Sequence, residues 1–476
     1  ALCRLVHWAG VLGSRVLLSS ATLPPDFIQA LYQAYAEGRK DYRQVVSGHD
    51  NDSIVCAWVD EFRSQSEFIV DADSFATQHG QFVDHRVKQL AAQTHITQRA
   101  ELLAVDSPAQ LASDLLTAAI GMHQIHGERS PCGKQVSFGL IRVANIKQIG
   151  VLAQDMLKQQ LPSNTQLHLC IYHSRHPLIV RAEIERQLDA ILSRSDPQSV
   201  WQQAAVQQAL NNSDAQDHLF VVLASPVAEV GRDHDYSWAL VEPSSMRAII
   251  QLAGRVQRHR KQAVTQPNIL IWQKNIKALK GISPAYCYPG FENKQLQLTS
   301  HDLNIILLPE QYLIPSSISR VQRRKVFHPS DNLVDLEHEQ LHRTLFNQDS
   351  NSMVAAELFW EKNINWSSEV QAHTRFRQSA PEIDYCIMGD SEDWGFYNLA
   401  DYKAPKPDQF DEVDLTENSQ ITSWLVSDVF SLCEEKSERS GRELSEIQKQ
   451  FACLSVPEGS RNDVKKPHYH PWLGVF

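Results

Sequence analysis

From residue 99 the chain alternates short apolar runs with longer runs of mixed polarity. Residues 100–105, 135–143, 167–172, 219–223, 238–241 and 268–272 are mostly apolar and of strand length. Between them, 108–126, 146–160, 177–193 and 245–256 read as helices. Apolar strands alternating with helices predict a parallel sheet covered by helices on both faces. Ligands of such sheets bind outside the carboxyl ends of the strands, and the residues of chemical interest stand there. Before residue 99, Val16-Leu17-Leu18-Ser19-Ser20 reads as a buried parallel strand closed by Ala21-Thr22-Leu23-Pro24-Pro25. A helix is expected from Asp26 to Gly38. Residues 40–98 mix strand-like runs (53–58, 68–70) with polar, helix-like stretches. Beyond 275 the alternation stops. Residues 276–330 are mixed and Pro-punctuated, 331–350 look helical, 380–420 are acidic and loop-rich, and 421–454 read as one or two helices. The end, Pro467-His468-Tyr469-His470-Pro471-Trp472, is aromatic and unpatterned.

Length and composition narrow the class. A chain of 476 residues suggests about two to four domains. Hydrophobic residues at 42% and charged residues at 21% suit a globular protein with real cores. No apolar run approaches the roughly 18 residues of a bilayer span, and no signal-peptide pattern opens the chain. Ala1-Leu2-Cys3 carries no initiator Met and reads as the inside of a structured region, so a piece of a longer protein is expected. The eight cysteines form no C-x-x-C pair, which argues against a disulfide framework or zinc ribbon and for a cytoplasmic setting. The net charge of −11 does not by itself suggest a nucleic-acid binder. The distribution changes that picture. Acidic residues dominate after 330, whereas Arg255, Arg258, His259, Arg260 and Lys261, then Arg320, Arg323, Arg324 and Lys325, form basic clusters able to hold phosphate. The second cluster reads equally as a solvated helix face.

The first basic cluster lies in Gln251-Leu252-Ala253-Gly254-Arg255-Val256-Gln257-Arg258-His259-Arg260. Arg255 and Arg258, three apart, share a face if helical. Two guanidinium forks there suit the charge spread over a transferring γ-phosphoryl group; the plainer alternative is a basic surface helix. Upstream, a strand ends at Leu223, a hydroxyl follows at Ser225, and Gly231-Arg232-Asp233 makes a turn. Glycine permits close backbone approach to a ligand, and the carboxylate can bond ribose hydroxyls or a neighbouring arginine. Together the two segments resemble motifs V and VI of superfamily 2 helicases, and Ser20-Ala21-Thr22 resembles motif III.

A closer resemblance is to the CRISPR-associated helicase–nuclease of type I-F systems. It is carried by Leu18 to Pro25, by Phe138-Gly139-Leu140-Ile141-Arg142-Val143-Ala144-Asn145-Ile146, by Tyr172-His173-Ser174-Arg175 and by Gln251 to Arg260. His373-Thr374-Arg375-Phe376-Arg377-Gln378 and His470-Pro471-Trp472-Leu473-Gly474 also fit. The resemblance implies an α/β fold: a RecA-like parallel sheet with helices on both faces, plus a mixed, mainly α C-terminal accessory domain. It implies the end of a first RecA-like domain at 1–25, a connecting region at 26–98, a second RecA-like domain at 99–275, a linker at 276–330 and the accessory domain at 331–476. Arg255 and Arg258 are then arginine fingers. Gln251, Gly254, Gly231 and Asp233 are nucleotide-binding, and Ser20, Ala21 and Thr22 couple hydrolysis to motion. Arg142, Asn145, His173, Ser174, Arg175 and Ser225 grip single-stranded DNA. Leu252 departs from the pattern, since most superfamily members have Arg there. The implied cofactors are ATP and Mg2+. The implied partners are single-stranded DNA, the Cascade surveillance complex and, as a further candidate, the CRISPR adaptation integrase, with no membrane.

Other motifs point elsewhere or are missing. A working helicase needs G-x-x-x-x-G-K-[ST]. The nearest stretch, Gly127 to Lys134, spaces its glycines one residue too far apart and has Gln135 in place of the hydroxyl. No acidic box precedes Ser20-Ala21-Thr22, so the magnesium ligands are expected outside this chain, which alone is expected to be inactive as an ATPase. His49-Asp50, His234-Asp235 and His301-Asp302 are HD dipeptides without an ordered ligand set, so no metal site is expected. His338-Glu339-Gln340-Leu341-His342 spells H-E-x-x-H and could hold zinc, but Glu337 and Arg343 suggest an exposed charged helix. Two further readings stay open: a DNA- or protein-binding module without catalysis, and another superfamily 2 DNA helicase.

Overall fold

The computed structural model describes residues 1–46, 53–229, 231–346, 355–357, 360, 381–400, 410–425, 427–458 and 467–476. His49-Asp50 and the segment 373–378 lie outside the described residues. The chain divides into two compact units that interleave in sequence. The first comprises Ala1–His95, Ser245–Arg247 and Pro284–Gln378; the second comprises Ile96–Ser244, Ala248–Ser283 and Ser379–Phe476. Residues 331–476, expected as one accessory domain, are thus shared between the units.

In the first unit, α1 (Leu2–Val11) packs along α2 (Pro25–Val46). A Cβ on Gly38 would come within 2.2 Å of the His7 carbonyl oxygen. Gly38, expected to end the helix, therefore lies inside it and lets the two backbones meet. Residues 16–20, expected as a strand, form none, and Leu17 is 92% exposed. A strand exists only where a neighbour completes its ladder, and no described residue pairs with this stretch. An antiparallel hairpin follows, β1 (Ile54–Val59) with β2 (Ser64–Ile69), then α3 (Ala72–Ala91), whose N-terminus is capped by the Asp71 side chain accepting from Ser74 N at 2.7 Å. Ile54, Trp58 and Ile69 from the hairpin meet Ile28 and Tyr32 from α2 and Phe75 and Phe82 from α3.

The helix Leu333–Leu345 carries the H-E-x-x-H spelling, and it is not the exposed charged helix expected. Glu337 is fully buried, paired with Arg320 at 2.8 Å, and it accepts from Met246 N at 2.5 Å. His338 bonds the Ser319 carbonyl at 2.9 Å and His342 bonds Asp26 at 3.0 Å. The two histidines thus turn to different protein partners.

The second unit is built on a parallel sheet. In chain order it runs through β3 (Ala100–Leu103), α4 (Leu111–His126), β4 (Glu128–Arg129), β5 (Gln135–Arg142) and α5 (Ile146–Leu157). It continues with β6 (Thr165–Tyr172), α6 (Leu178–Leu192), α7 (Ala204–Asn211), β7 (Asp217–Ala224), β8 (Trp238–Val241), α8 (Met246–Ala253) and β9 (Ile269–Trp272). Later come β10 (Glu382–Gly389), β11 (Trp394–Asn398), β12 (Asp411–Glu412), β13 (Ile421–Ser423), β14 (Cys453–Pro457), β15 (His468–His470) and β16 (Gly474–Val475). The large sheet has the order β13-β6-β7-β5-β8-β9-β3, all parallel, with β4 folding back antiparallel on β5. After the edge strand β3 the chain enters the central strand β5, goes out to β6 and back to β7 on one side, and then crosses to β8 and β9 on the other. That reversal opens a crevice at the carboxyl ends of β7, β5 and β8.

Alternation along the strands sorts the two faces. Leu167, Leu169 and Ile171 of β6 and Leu219, Val221 and Leu223 of β7 join Leu115, Leu116, Ile149, Leu152 and Met156 from α4 and α5 in one core. On the opposite face Phe138 stacks on Phe220, Phe220 meets Trp424 edge-on, and the Tyr172 hydroxyl donates to Glu185 of α6 at 2.9 Å.

The C-terminal residues are more strand-rich than their sequence suggests. Two three-stranded sheets form, β11-β10-β14 and β12-β15-β16, beside helices Val429–Ser440 and Leu444–Phe451. Residues 421–423, expected to open a helix, instead add an edge strand to the large sheet, with Ile421 opposite Leu167. The end expected to be unpatterned is docked: Trp472, Leu473 and Phe476 enter the same core as α5, and the Phe476 ring sits where a Cβ on Gly150 would lie 2.2 Å away.

Candidate nucleotide and nucleic-acid site

Every strand that borders the crevice ends on a polar side chain or a polar loop. Arg142 closes β5, Ser225 follows β7, and Glu242 to Ser244 follow β8. Val143 N donates to Ala224 O at 2.9 Å and Ser225 N to Tyr172 O at 3.1 Å, which holds the ends of β5, β7 and β6 side by side.

The turn after α8 is organised by Asp235, which is fully buried. Its carboxylate accepts from the backbone N–H of Arg258 and Arg260 at 3.2 Å each and of His259 at 3.4 Å. It also takes Arg260 Nε and Nη2 at 2.9 and 3.0 Å, a bidentate charged pair. A short parallel bridge between Tyr236 and Val256 continues this docking, with Tyr236 N donating to Arg255 O at 2.8 Å. Arg255 and Arg258 are therefore presented by a fixed turn rather than by a helix. Arg255 Nη2 donates to the Glu229 carbonyl at 2.8 Å, while its Nε has no hydrogen-bond partner among the described residues. Burial, and then the neighbouring Arg258, lower the Arg255 pKa from its ordinary value. Arg258 is exposed and its Nε pairs with Asp233; that pair, with His259 adding to it, holds the Asp233 carboxyl below the usual range.

The other expected nucleotide residues surround this turn. Gly231 has φ +69 and nothing within 4 Å of a hypothetical Cβ, so the backbone conformation is what calls for glycine there. Gln251 is half-buried and Gly254 exposed. Leu252, the departure from the superfamily pattern, is fully buried, so this position faces the core. Ser20, Ala21 and Thr22 lie in the first unit, where Thr22 N bonds Ser20 Oγ at 3.3 Å and Arg86 Nη1 reaches Ala21 O at 3.5 Å.

The expected DNA-contacting residues divide by exposure. Ser174 is exposed, and Asn145 and Arg175 are half-buried. Ser225 is 5% exposed and its Oγ accepts from Val227 N at 3.5 Å, capping the turn after β7. Arg142 and His173 are corrected by the fold. Arg142 is 1% exposed; its Nε pairs with Glu229 at 2.5 Å, its Nη1 donates to Glu242 O at 2.7 Å and its Nη2 to Ser244 Oγ at 2.9 Å. His173 is fully buried, bonds Leu473 O at 2.8 Å and accepts Arg175 N at 3.1 Å. Burial, then the stacked His176, push its pKa well below the ordinary value. Both side chains spend their polar atoms on protein partners, so neither faces a DNA backbone in this structure.

Sequence reading missed Asp235, Glu229 and Glu242. Asp235 shows in the sequence only as half of an HD dipeptide. Glu229 is one unmarked residue inside the Leu223–Asp235 stretch. Glu242 accepts from Ala144 N at 2.6 Å and Ile276 N at 2.9 Å, and burial raises its pKa; no local pattern announces it.

Among the described residues no group of three His, Cys, Asp or Glu could hold a metal ion, and no helix is long and apolar enough to cross a membrane.

The parallel sheet carries a Gly-x-Asp turn and an arginine-bearing turn at the carboxyl ends of its strands, and the part of the chain that holds both turns is similar to the C-terminal region of known nuclease/helicases. Residues 135–261 match the family model described as CRISPR-associated nuclease/helicase Cas3, C-terminal. The chain is homologous to the CRISPR-associated nuclease/helicase Cas3 of subtype I-F/YPEST. Over all of its length it is 39% identical to that protein from Pectobacterium atrosepticum and 40% identical to that from Pseudomonas aeruginosa. It spans 45% of the length of each of these relatives. A solved structure titled "Crystal structure of CRISPR-associated protein" is 14% identical, with 100% of this chain and 49% of that one covered and a TM-score of 0.46.

Proposed function

We propose that this chain is the C-terminal half of an ATP-dependent single-stranded-DNA translocase with nuclease function, acting in the cytoplasm in CRISPR interference. The observation that carries this reading is the turn at Arg255 and Arg258, clamped by buried Asp235 and facing the Gly231–Asp233 turn. In this reading Arg255 and Arg258 are the catalytic residues of this half. They stabilise the charge that spreads over the γ-phosphoryl oxygens of ATP as it transfers. An Arg255 Nε–H without a partner among the described residues, and the lack of any described atom within 4 Å of a Cβ at Gly231, fit a polyphosphate there. Gln251, Gly254, Gly231 and Asp233 shape the nucleotide side. ATP supplies the phosphoryl group and Mg2+ its charge neutralisation, with the metal ligands and the phosphate cradle in the first motor domain of the longer protein.

On the nucleic-acid side, Asn145, Ser174, Arg175 and Ser225 stand at strand ends suited to a single-stranded DNA backbone. Arg142 and His173 support that surface from beneath. Ser20, Ala21 and Thr22 couple hydrolysis to movement. The exposed apolar stretch Val16-Leu17-Leu18 suits a strand of the first motor sheet, whose neighbours would complete its ladder. Recruitment by Cascade is part of this reading, and the CRISPR-associated names of the relatives agree with it. Nothing in the fold or the comparisons favours the adaptation integrase as a partner.

The test is ATP hydrolysis stimulated by single-stranded DNA. The longer protein is expected to show it, and R255A and R258A to lower its kcat by about a hundredfold or more. The isolated chain is expected to show none. Stimulated hydrolysis by the isolated chain, or wild-type kcat in both arginine variants, would falsify the reading.

A further inference from the structure

Arg142 links segments that sequence keeps far apart. Its Nε holds the buried Glu229 carboxylate, which belongs to the loop after β7. Its Nη1 and Nη2 reach Glu242 O and Ser244 Oγ, in the segment after β8. The Glu242 carboxylate in turn takes the backbone N–H of Ala144, after β5, and of Ile276, after β9. One guanidinium and two carboxylates thus tie together the segments that follow four strands, β5, β7, β8 and β9. The main-chain carbonyl of Glu229 is the acceptor for Arg255 Nη2 at 2.8 Å. The same residue therefore anchors on Arg142 through its side chain and holds Arg255 through its backbone.

We propose that Arg142, through its buried pair with Glu229, is the positioning residue that aims Arg255 at the transferring phosphoryl group. This rests on the reading of Arg255 as an arginine finger. The physical reason is preorganisation. A donor stabilises developing charge only if it already stands where that charge appears, and a loop carbonyl can hold a guanidinium only if the loop itself is fixed. The loop between β7 and β8 has little regular structure of its own beyond one short turn at Pro226–Ala228. Asp235 fixes its far end, and next to Arg255 the loop is tied down through the Glu229 carboxylate in the Arg142 fork. A fork whose three donors span two segments cannot be reproduced by lysine, whose ammonium is a compact point charge.

The experiment is a double-mutant cycle in the longer protein that carries this chain, read as DNA-stimulated ATP hydrolysis well below each variant's melting temperature. R255A is expected to lower kcat by about a hundredfold or more. R142M is expected to lower kcat by about tenfold or more with KM for ATP little changed, because the lost interaction acts in the transition state. R142M/R255A is expected to be no slower than R255A alone, because Arg142 acts through Arg255. E229Q keeps an acceptor for Arg142 Nε and the same carbonyl, and is expected to retain most of the activity that E229A loses. The proposal is overturned if the R142M and R255A losses multiply in the double variant. It is also overturned if R142M melts earlier yet turns over at the wild-type rate. Wild-type kcat in R255A sinks the finger reading itself and the proposal with it, a different result from either of those. Should R142M fail to fold, R142K goes through the same cycle with the same expectations.

Discussion

Asp235 receives Arg260 in a bidentate pair, Nε at 2.9 Å and Nη2 at 3.0 Å, with its carboxylate fully buried. The same carboxylate accepts the backbone N–H groups of residues 258–260, so one side chain both neutralises an arginine and shapes the turn that presents Arg258. Removing it leaves a nearly buried guanidinium and three backbone donors without that acceptor. D235A is expected to cost about 3–5 kcal/mol of stability, measured by urea unfolding of the chain. A loss below about 1 kcal/mol would mean the turn holds itself.

Asp233 and Arg258 pair under the opposite conditions, with side chains 70% and 41% exposed. Water screens such a pair, so D233N is expected to change stability by less than about 1 kcal/mol. If Asp233 also serves the nucleotide, the KM for ATP of the longer protein should rise about tenfold, the worth of one charged hydrogen bond. An unchanged KM would confine Asp233 to its arginine.

The docked tail can be tested by crowding it. Alanine at Gly150 would put a Cβ 2.2 Å from the Phe476 ring. G150A is expected to destabilise the chain by about 1–3 kcal/mol, the usual cost of overpacking. In the F476A background the same substitution should cost much less, since the ring it meets is gone. Equal melting-point losses in both backgrounds would place the strain elsewhere.

Burial favours the neutral form of His168, His173 and His176 in the second unit. Burial first, then neighbouring cationic groups, bring His168 down to about 3; burial brings His176 down to about 4; His173 lies well below its ordinary 6.5. Below about pH 6.5 the unfolded chain binds protons that the folded chain refuses. Stability is therefore complete above that value and falls as pH drops from about 6.5 toward 4, by at most about 1.4 kcal/mol per pH unit for each histidine. Thermal melts across this window should show the decline, and a neutral residue accepted at position 176 should make it shallower.

The apolar stretch at Leu17 gives a contrast between contexts. In the isolated chain L17D is expected to shift stability by less than about 0.5 kcal/mol, because the side chain is 92% exposed. In the longer protein the same change should impair folding or ATP hydrolysis if the stretch enters a sheet there. Equal tolerance in both would remove Val16-Leu17-Leu18 from the first motor domain.

Most of the large parallel sheet was legible because six of its strands, β3 and β5 to β9, are local apolar runs and each crossover helix a local amphipathic one. β3, β5 to β9, α4 to α6 and α8 all fall within a few residues of where periodicity puts them. β13, β15 and β16 were not legible. They are two or three residues long, too short to show a period, and β13 exists only because β6 supplies its ladder. The strand expected at residues 16–20 fails for the converse reason, since an apolar run without a neighbour has nothing to pair with. Gly38 reads wrongly as a helix end because a glycine that ends a helix and a glycine that lets two helices touch look alike in one dimension.

The candidate site shows the same division. Sequence alone determined which residues could serve: Arg255, Arg258, Gly231 and Asp233 carry their chemistry in their own side chains and local turns. Tertiary structure decided which of them are free to serve. Arg142 and His173 have the right chemistry for phosphate, yet burial commits the first to Glu229 and the second to Leu473. The turn that holds Arg255 and Arg258 is likewise set by a carboxylate 23 residues upstream of Arg258, at Asp235. A residue's donors and acceptors are written in the chain; whether they are already spent is settled only when distant segments are brought within hydrogen-bond reach.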